Sequence, residues 1–329
     1  MSTALSLGDG IDQKVMKMSK HVIVGAGPIG TATAELLAAA GHEVTVVTRS
    51  GTGPRVESVN RTAADAADTG QLIELTRDAV ALYNCANPPY TSWPQDWPPL
   101  AESLTETAAA TGAVLVTCSN LYGYGPVDGP ITVDLPLSAT GTKSQIRARM
   151  WHDALALHQA GTIRATEARG SDYLGAGAQS HLGDRVVPRL LAGKGVRVIG
   201  SPDQPHSWTY TRDMARTLVE IGSNEKAWGR AWHVPTNPPL TQRDAIAAMA
   251  AALGVRMVPV KGMSSGVLAA AGLFSPMVRE LKETYYQFNE PFVIDDSVTR
   301  TELGIEPTPW AEVLADHLAP FQVNESTTA

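Results

Sequence analysis

The chain has 329 residues, 43% of them hydrophobic, and a formal net charge of −7; that length can bury one large core or two modest ones. No Lys/Arg-rich run occurs, which argues against a nucleic-acid partner, and no apolar run reaches the roughly 20 residues of a membrane helix. Two cysteines, Cys85 and Cys118, cannot build a disulfide scaffold, and no Cys/His cluster has zinc spacing, so no metal site is expected.

Residues 1–18, MSTALSLGDGIDQKVMKM, lack the basic start and apolar stretch of a signal peptide. They read as a disordered extension with Met16 and Met18 as alternative starts, and the protein as cytoplasmic. The apolar run His21–Val24 breaks into Gly25-Ala-Gly-Pro-Ile-Gly30, followed by the helical stretch TATAELLAAAG and the β-branched run Glu43–Thr48. That is strand, glycine turn, helix and strand: a βαβ unit. Further apolar runs at Ala79–Cys85, Ala113–Cys118, Thr162–Ala168 and Ala231–Val234 alternate with helical stretches. The alternation predicts a Rossmann-type, doubly wound parallel α/β sheet.

The Pro-rich stretch Asn87–Pro99 reads as a long loop, a cover or a substrate wall, placed after a strand's C-terminal end where open α/β sheets bind ligands. RVVPRLLAGKGVRVIG reads as helix, turn and strand, and Thr241–Leu253 as an amphipathic helix. The expected organisation is a dinucleotide-binding domain over 19–174, to which 206–235 returns. A smaller C-terminal substrate-binding lobe takes 175–205 and 236–323, and 324–329 forms a frayed tail.

GAGPIG fits G-x-G-x-x-G within the strand–turn–helix context that gives the pattern meaning. Gly25 permits the tight turn, Gly27 lets the backbone approach a pyrophosphate, and Gly30 lets helix and strand pack. Pro28 suits a first-turn position, and Ile29 follows it at the helix N-terminus, whose partial positive charge favours phosphate. After the second strand stands Thr48-Arg49-Ser50, with no carboxylate to hold a ribose hydroxyl pair. Arg49 can pair with a 2′-phosphate and Ser50 can hydrogen-bond it, so NADP is the expected cofactor, with NAD the alternative.

The order of these motifs resembles the extended short-chain dehydrogenase/reductase superfamily, the NAD-dependent epimerase/dehydratase family, over about residues 20–320. VIVGAGPIG resembles its nucleotide loop, although Val24 stands where that family places its first glycine. Asp65-Ala66 resembles the acidic pair that contacts adenine, and NCANPP (Asn84–Pro89) the strand end beside the cofactor ribose. CSNLYGYGP resembles the strand carrying the catalytic hydroxyl, RGSDYLGAG the stretch near the nicotinamide, and HSWTYTRDMA a further segment. The resemblance thus implies cofactor contacts at Asn84, Ala86 and Lys143. It implies catalysis at Lys143, at Ser119 or Cys118, and at Tyr122. Substrate contacts fall to Asn87, Tyr90, Tyr124, Asp172, Tyr173, His206 and Trp208.

One departure bears on chemistry. The family's Tyr-x-x-x-Lys pair lies on one helix face, and its Lys lowers the Tyr pKa. Here the matching stretch is Ala139-Thr-Gly-Thr-Lys143, with the Lys present and the Tyr replaced. Acid catalysis would then move to Tyr122, Tyr124, Asp172 or water, and Lys143 would hold the nicotinamide ribose. The expected function is an NAD(P)H-dependent oxidoreductase reducing C=C, C=N or an activated carbonyl in a small, largely apolar metabolite. The alternatives are a sugar-type epimerase or dehydratase using NAD and a non-catalytic NAD(P) sensor. The family often forms dimers, so a homodimer is expected.

Overall fold

The computed structural model describes residues 18–322; the readings of 1–17 and 323–329 as extension and tail lie outside them. In chain order the first half runs β1 (Lys20–Val24), α1 (Pro28–Ala39), β2 (Glu43–Thr48), β3 (Val59–Ala63), α2 (Thr69–Thr76), β4 (Ala79–Asn84), α3 (Trp93–Thr111), β5 (Val114–Asn120) and α4 (Thr142–Gln159). It continues through β6 (Ala165–Gly170), β7 (Asp172–Leu174), α5 (Val187–Leu191), β8 (Val196–Ile199), β9 (Pro205–His206), β10 (Trp208–Tyr210), α6 (Thr211–Ser223) and β11 (Ala231–His233). Then come β12 (Leu240–Thr241), α7 (Gln242–Ala252), β13 (Val260–Met263), α8 (Ser265–Gly272), α9 (Pro276–Glu280), α10 (Tyr286–Asn289), α11 (Ser297–Leu303) and α12 (Trp310–Gln322).

Seven strands form one parallel sheet in the order β11-β6-β5-β4-β1-β2-β3. Strands β1, β2, β4 and β5 are near-continuous apolar runs because helices cover both faces, whereas β6 buries the paired Glu167 and Arg169. Val22 and Val24 pack with Trp97, Leu100 and Leu104 of α3 on one face, while Ile23 packs with Leu37 of α1 and Leu218 of α6 on the other. The chain winds from β1 through β2 to β3 one way and from β4 through β5 to β6 the other. A topological switch point therefore lies between β1 and β4, and a crevice opens at their C-terminal ends. The register aligns those ends, with Val24 opposite both Val47 and Asn84.

A second core packs Leu190, Val198, Ile246, Met249, Val260, Leu314 and Leu318 from α5, β8, α7, β13 and α12. Trp208 and Tyr210 of β10, which pairs with β7 directly after the main sheet, belong to it. The second core is thereby anchored to the end of β6.

The stretch Asn87–Pro99 departs from its reading as loop: α3 starts at Trp93 and includes Pro94, Pro98 and Pro99. Pro94 sits at the start of the helix, where a missing N–H costs little. Pro98 and Pro99 each remove one hydrogen bond, but the same turns bury Trp93 and Trp97 completely. Burial of two indoles, about 2–3 kcal/mol each, outweighs the lost bonds.

Candidate active site

The loop between β1 and α1 shows how each glycine is used. Gly25 has φ +99°, and a Cβ there would lie 2.6 Å from the Cys85 carbonyl oxygen. A Cβ on Gly30 would collide with the Gly25 carbonyl. At Gly27 a Cβ would meet nothing within 4 Å, so this residue, the N-cap of α1, faces open space. A cradle with two closed sides and one open one, beneath a helix N-terminus, fits a dinucleotide pyrophosphate. Pro28 takes the first helical turn, and Gly27, Pro28 and Ile29 line the main cavity.

Arg49 and Ser50 follow β2 and are exposed; Ser50 Oγ lies 3.0 Å from Thr52 Oγ1. Asp65 follows β3 and accepts a hydrogen bond from the Ala67 N–H at 3.0 Å, while Ala66 beside it is buried. These four residues follow the C-terminal ends of β2 and β3, on the other side of β1 from β4. Asn84 is buried at the end of β4, where its Oδ1 accepts from the Ala86 N–H at 3.3 Å.

The main cavity, about 180 Å³, lies over the C-terminal ends of β1, β4, β5 and β6. Ala86, Asn87, Cys118, Ser119, Tyr122, Asp172 and Tyr173 line it together with Tyr90, Trp93, Arg147, Gln287 and Phe292. The Tyr90 and Tyr122 hydroxyls meet at 2.6 Å. Burial raises the pKa of both phenols, that of Tyr122 well above its ordinary value. Burial likewise raises Cys118 to about 11, so its sulfur is a neutral thiol. Tyr173 donates to the Ser119 carbonyl at 3.1 Å and stands 3.9 Å from Cys118 Sγ.

Asp172 is desolvated, which would raise its pKa, but the hydrogen bond with His206 Nε2 at 2.9 Å, together with the charges of His206 and His181 and a backbone hydrogen bond, holds it below the ordinary carboxylate value. His206 itself is buried behind Asp172, with Nδ1 3.1 Å from the Gln287 carbonyl oxygen. His206 does not line the cavity, and neither do Trp208 and Tyr124. Trp208 donates to the Leu240 carbonyl at 3.0 Å. Tyr124 accepts from Arg169 at 2.6 Å and meets His233 Nε2 at 2.9 Å, in a buried network under β6.

Lys143 also stands outside the cavity lining. It is buried in the first turn of α4, where Glu280 and Glu283 capture its Nζ, the latter at 3.4 Å. The Ala139/Lys143 pairing needs correction as well. Helix α4 begins at Thr142 with Gly141 as N-cap, so Ala139 precedes it and shares no helix face with Lys143. The pair one turn apart on α4 is Lys143 and Arg147. Arg147 was missed by sequence reasoning, although its signal, a second basic residue at i+4, was present.

Arg147 is 7% exposed and lines the cavity. Its guanidinium lies 4.8 Å from the Trp93 ring centre and 4.3 Å from that of Trp97. Its Nε and Nη1 are buried with no hydrogen-bond partner among the described residues. Burial lowers its pKa from the ordinary arginine value. No group of His, Cys, Asp and Glu suited to hold a metal ion occurs among the described residues.

Sheet order, glycine cradle and cavity together define a Rossmann-type α/β protein with its site at the topological switch point. The chain belongs to the NAD dependent epimerase/dehydratase family, whose model matches residues 21–234. No curated protein sequence matches it. Among solved structures it resembles the epimerase Mth375 from Methanothermobacter thermautotrophicus, with a TM-score of 0.76 at 16% identity over 94% of each chain. It also resembles WbmH from Bordetella bronchiseptica, solved with NAD+, with a TM-score of 0.72 at 20% identity over 93% of this chain and 99% of that one. The dTDP-glucose 4,6-dehydratase DesIV from Streptomyces venezuelae, solved with NAD, gives a TM-score of 0.72 at 19% identity over 94% and 98%. At these identities the likeness establishes the shared fold.

Proposed function

We propose that this protein is a nicotinamide-dinucleotide-dependent oxidoreductase, preferring NADP(H), that reduces a C=C, C=N or activated carbonyl bond in a small substrate. The observation that carries this reading is the Tyr90–Tyr122 hydroxyl pair in the same cavity as the phosphate loop. Gly25, Gly27, Pro28, Ile29 and Gly30 would hold the pyrophosphate, with Arg49 and Ser50 at the 2′-phosphate. Held there, a reduced nicotinamide dinucleotide would supply the hydride. The complementary proton comes from the phenol pair: one hydroxyl donates to the other, whose own proton remains free for the substrate. Both phenols stay protonated at neutral pH, and the charge of Arg147 favours the phenolate left behind.

Sugar epimerisation fits less well, because it needs a base to take an alcohol proton. Burial raises the cavity's phenols and the Cys118 thiol, and Lys143 is engaged by two carboxylates. The test is NADPH oxidation by purified protein across enones, imines and activated carbonyls, run beside NADPH binding. Turnover of at least one class, lost in Tyr122→Phe, is expected. Binding without turnover of any class would move the protein to the cofactor-sensing alternative.

A further inference from the structure

We infer that the substrate carries a carboxylate and that Arg147 is its receptor, so that the bond reduced is conjugated to, or adjacent to, an acid group. The inference rests on the reading of the cavity as a reductase site and deepens it. Arg147 is more than nine-tenths buried, lines the cavity, and has two guanidinium nitrogens without a hydrogen-bond partner among the described residues. A buried charge persists where something compensates it, and the two indoles do so only in part.

The protein's own carboxylates are committed elsewhere. Glu167, whose charge acts on Arg147 without a hydrogen bond to it, is held by Arg169 Nε at 2.7 Å. Asp172, on the cavity wall, is held by His206 at 2.9 Å. Glu280 and Glu283 hold Lys143, which lies one helical turn from Arg147 on α4. The missing counter-ion is therefore one that arrives from the cavity, and a planar, forked donor matches a carboxylate better than any uncharged group.

Two anions could reach the cavity: a substrate carboxylate or a cofactor phosphate. Position favours the first. The phosphate loop follows β1 and has its own helix N-terminus, whereas Arg147 packs on Trp93 and Trp97 of α3, on the β4–β5 side. The aromatic rings of Tyr90, Tyr122 and Phe292 that line the same cavity suit a flat, conjugated acid.

The experiment titrates crotonate and cinnamate, each against its uncharged amide, into the NADP+-loaded protein, read by calorimetry and by the fluorescence of the indoles beside Arg147. At least one acid should bind about ten- to hundred-fold more tightly than its amide, the range for a hydrogen-bonded charge pair. In Arg147→Met that preference should disappear while the Kd for NADP+ changes less than about three-fold; Arg147→Lys should retain part of it. Equal binding of acid and amide to the unaltered protein overturns the inference without any variant. A loss of NADP+ affinity in Arg147→Met as large as the loss of acid affinity assigns Arg147 to the cofactor and also overturns it. Acid-selective binding without NADPH oxidation would leave Arg147 standing as a carboxylate receptor and count against the reductase reading, and with it the placement of a reducible bond beside the acid.

Discussion

Replacing Gly27 by Ala separates cofactor binding from folding, and the geometry sets the size of each effect. Gly27 has φ −69° and ψ −177°, a conformation alanine adopts freely, and its added Cβ would meet nothing within 4 Å. Two small stability terms oppose each other. Alanine loses less chain entropy on folding, worth about 0.4–1 kcal/mol, but is a poorer N-cap than glycine by a similar amount. The net change should stay within about 0.5 kcal/mol, a shift in Tm of roughly 2 °C or less. The methyl group nevertheless occupies the open side of the cradle, where a pyrophosphate would touch the backbone. Crowding of that kind costs about 1–3 kcal/mol, which weakens dinucleotide binding by roughly 5- to 150-fold. Thermal melts without ligand and calorimetric titration of NADP+ read the two effects independently. Unchanged affinity in a normally folded variant would refute the assignment of this loop to the pyrophosphate.

Arg49→Glu should lower the ratio of NADP+ to NAD+ affinity by about ten-fold or more, because it removes a phosphate partner and adds a repelling charge; equal loss for both cofactors would show that Arg49 does not face the 2′ position. Lys143→Met strands Glu280 and Glu283, which are partly exposed, so it should cost about 2–3 kcal/mol in urea unfolding and leave NADP+ affinity nearly unchanged. The reverse result would mean that Lys143 leaves its carboxylates to contact the cofactor. Burial lowers the pKa of His233 to about 4, and the fold holds it neutral between Tyr124 and the Asp295 carbonyl. The unfolded chain takes up that proton below about pH 6.5 and the folded one only near 4, so stability falls as pH drops through this window. At pH 5 the loss from this residue is about 2 kcal/mol, and His233→Gln should flatten the slope between pH 7 and 5; an unchanged slope would show that other groups set it.

The features legible in the sequence were those encoded locally. The glycine spacing, the strand before it and the helix after it form one contiguous signal, and each glycine proves to be required, or left open, by its own neighbours. The run Ala231–Val234 was readable as a strand and forms β11, the edge of the main sheet beside β6. Prolines misled where position decides their effect: Pro94 opens α3, and two buried indoles draw Pro98 and Pro99 into it. The phase of α4 was misread because the Tyr-x-x-x-Lys pattern was laid on Ala139 and Lys143, although Gly141-Thr142 marks the helix start. The capture of Lys143 by carboxylates 137 and 140 residues away had no local trace at all. The same holds for the convergence of Arg147 with Trp93 and Trp97, which only the packing of α4 against α3 brings about.

The proposed reaction is hydride transfer from a dinucleotide held by the β1–α1 loop to a substrate protonated from the Tyr90–Tyr122 pair. The most direct measurement uses NADPH carrying deuterium at the transferable position of nicotinamide C4, with mass analysis of the product formed by wild type and by Tyr122→Phe. One cofactor-derived deuterium per product molecule is expected in the wild type, with kcat lower by about 10²-fold or more in the variant and the same labelling. Product without deuterium from either C4 epimer of the label, or undiminished turnover in Tyr122→Phe, would contradict it.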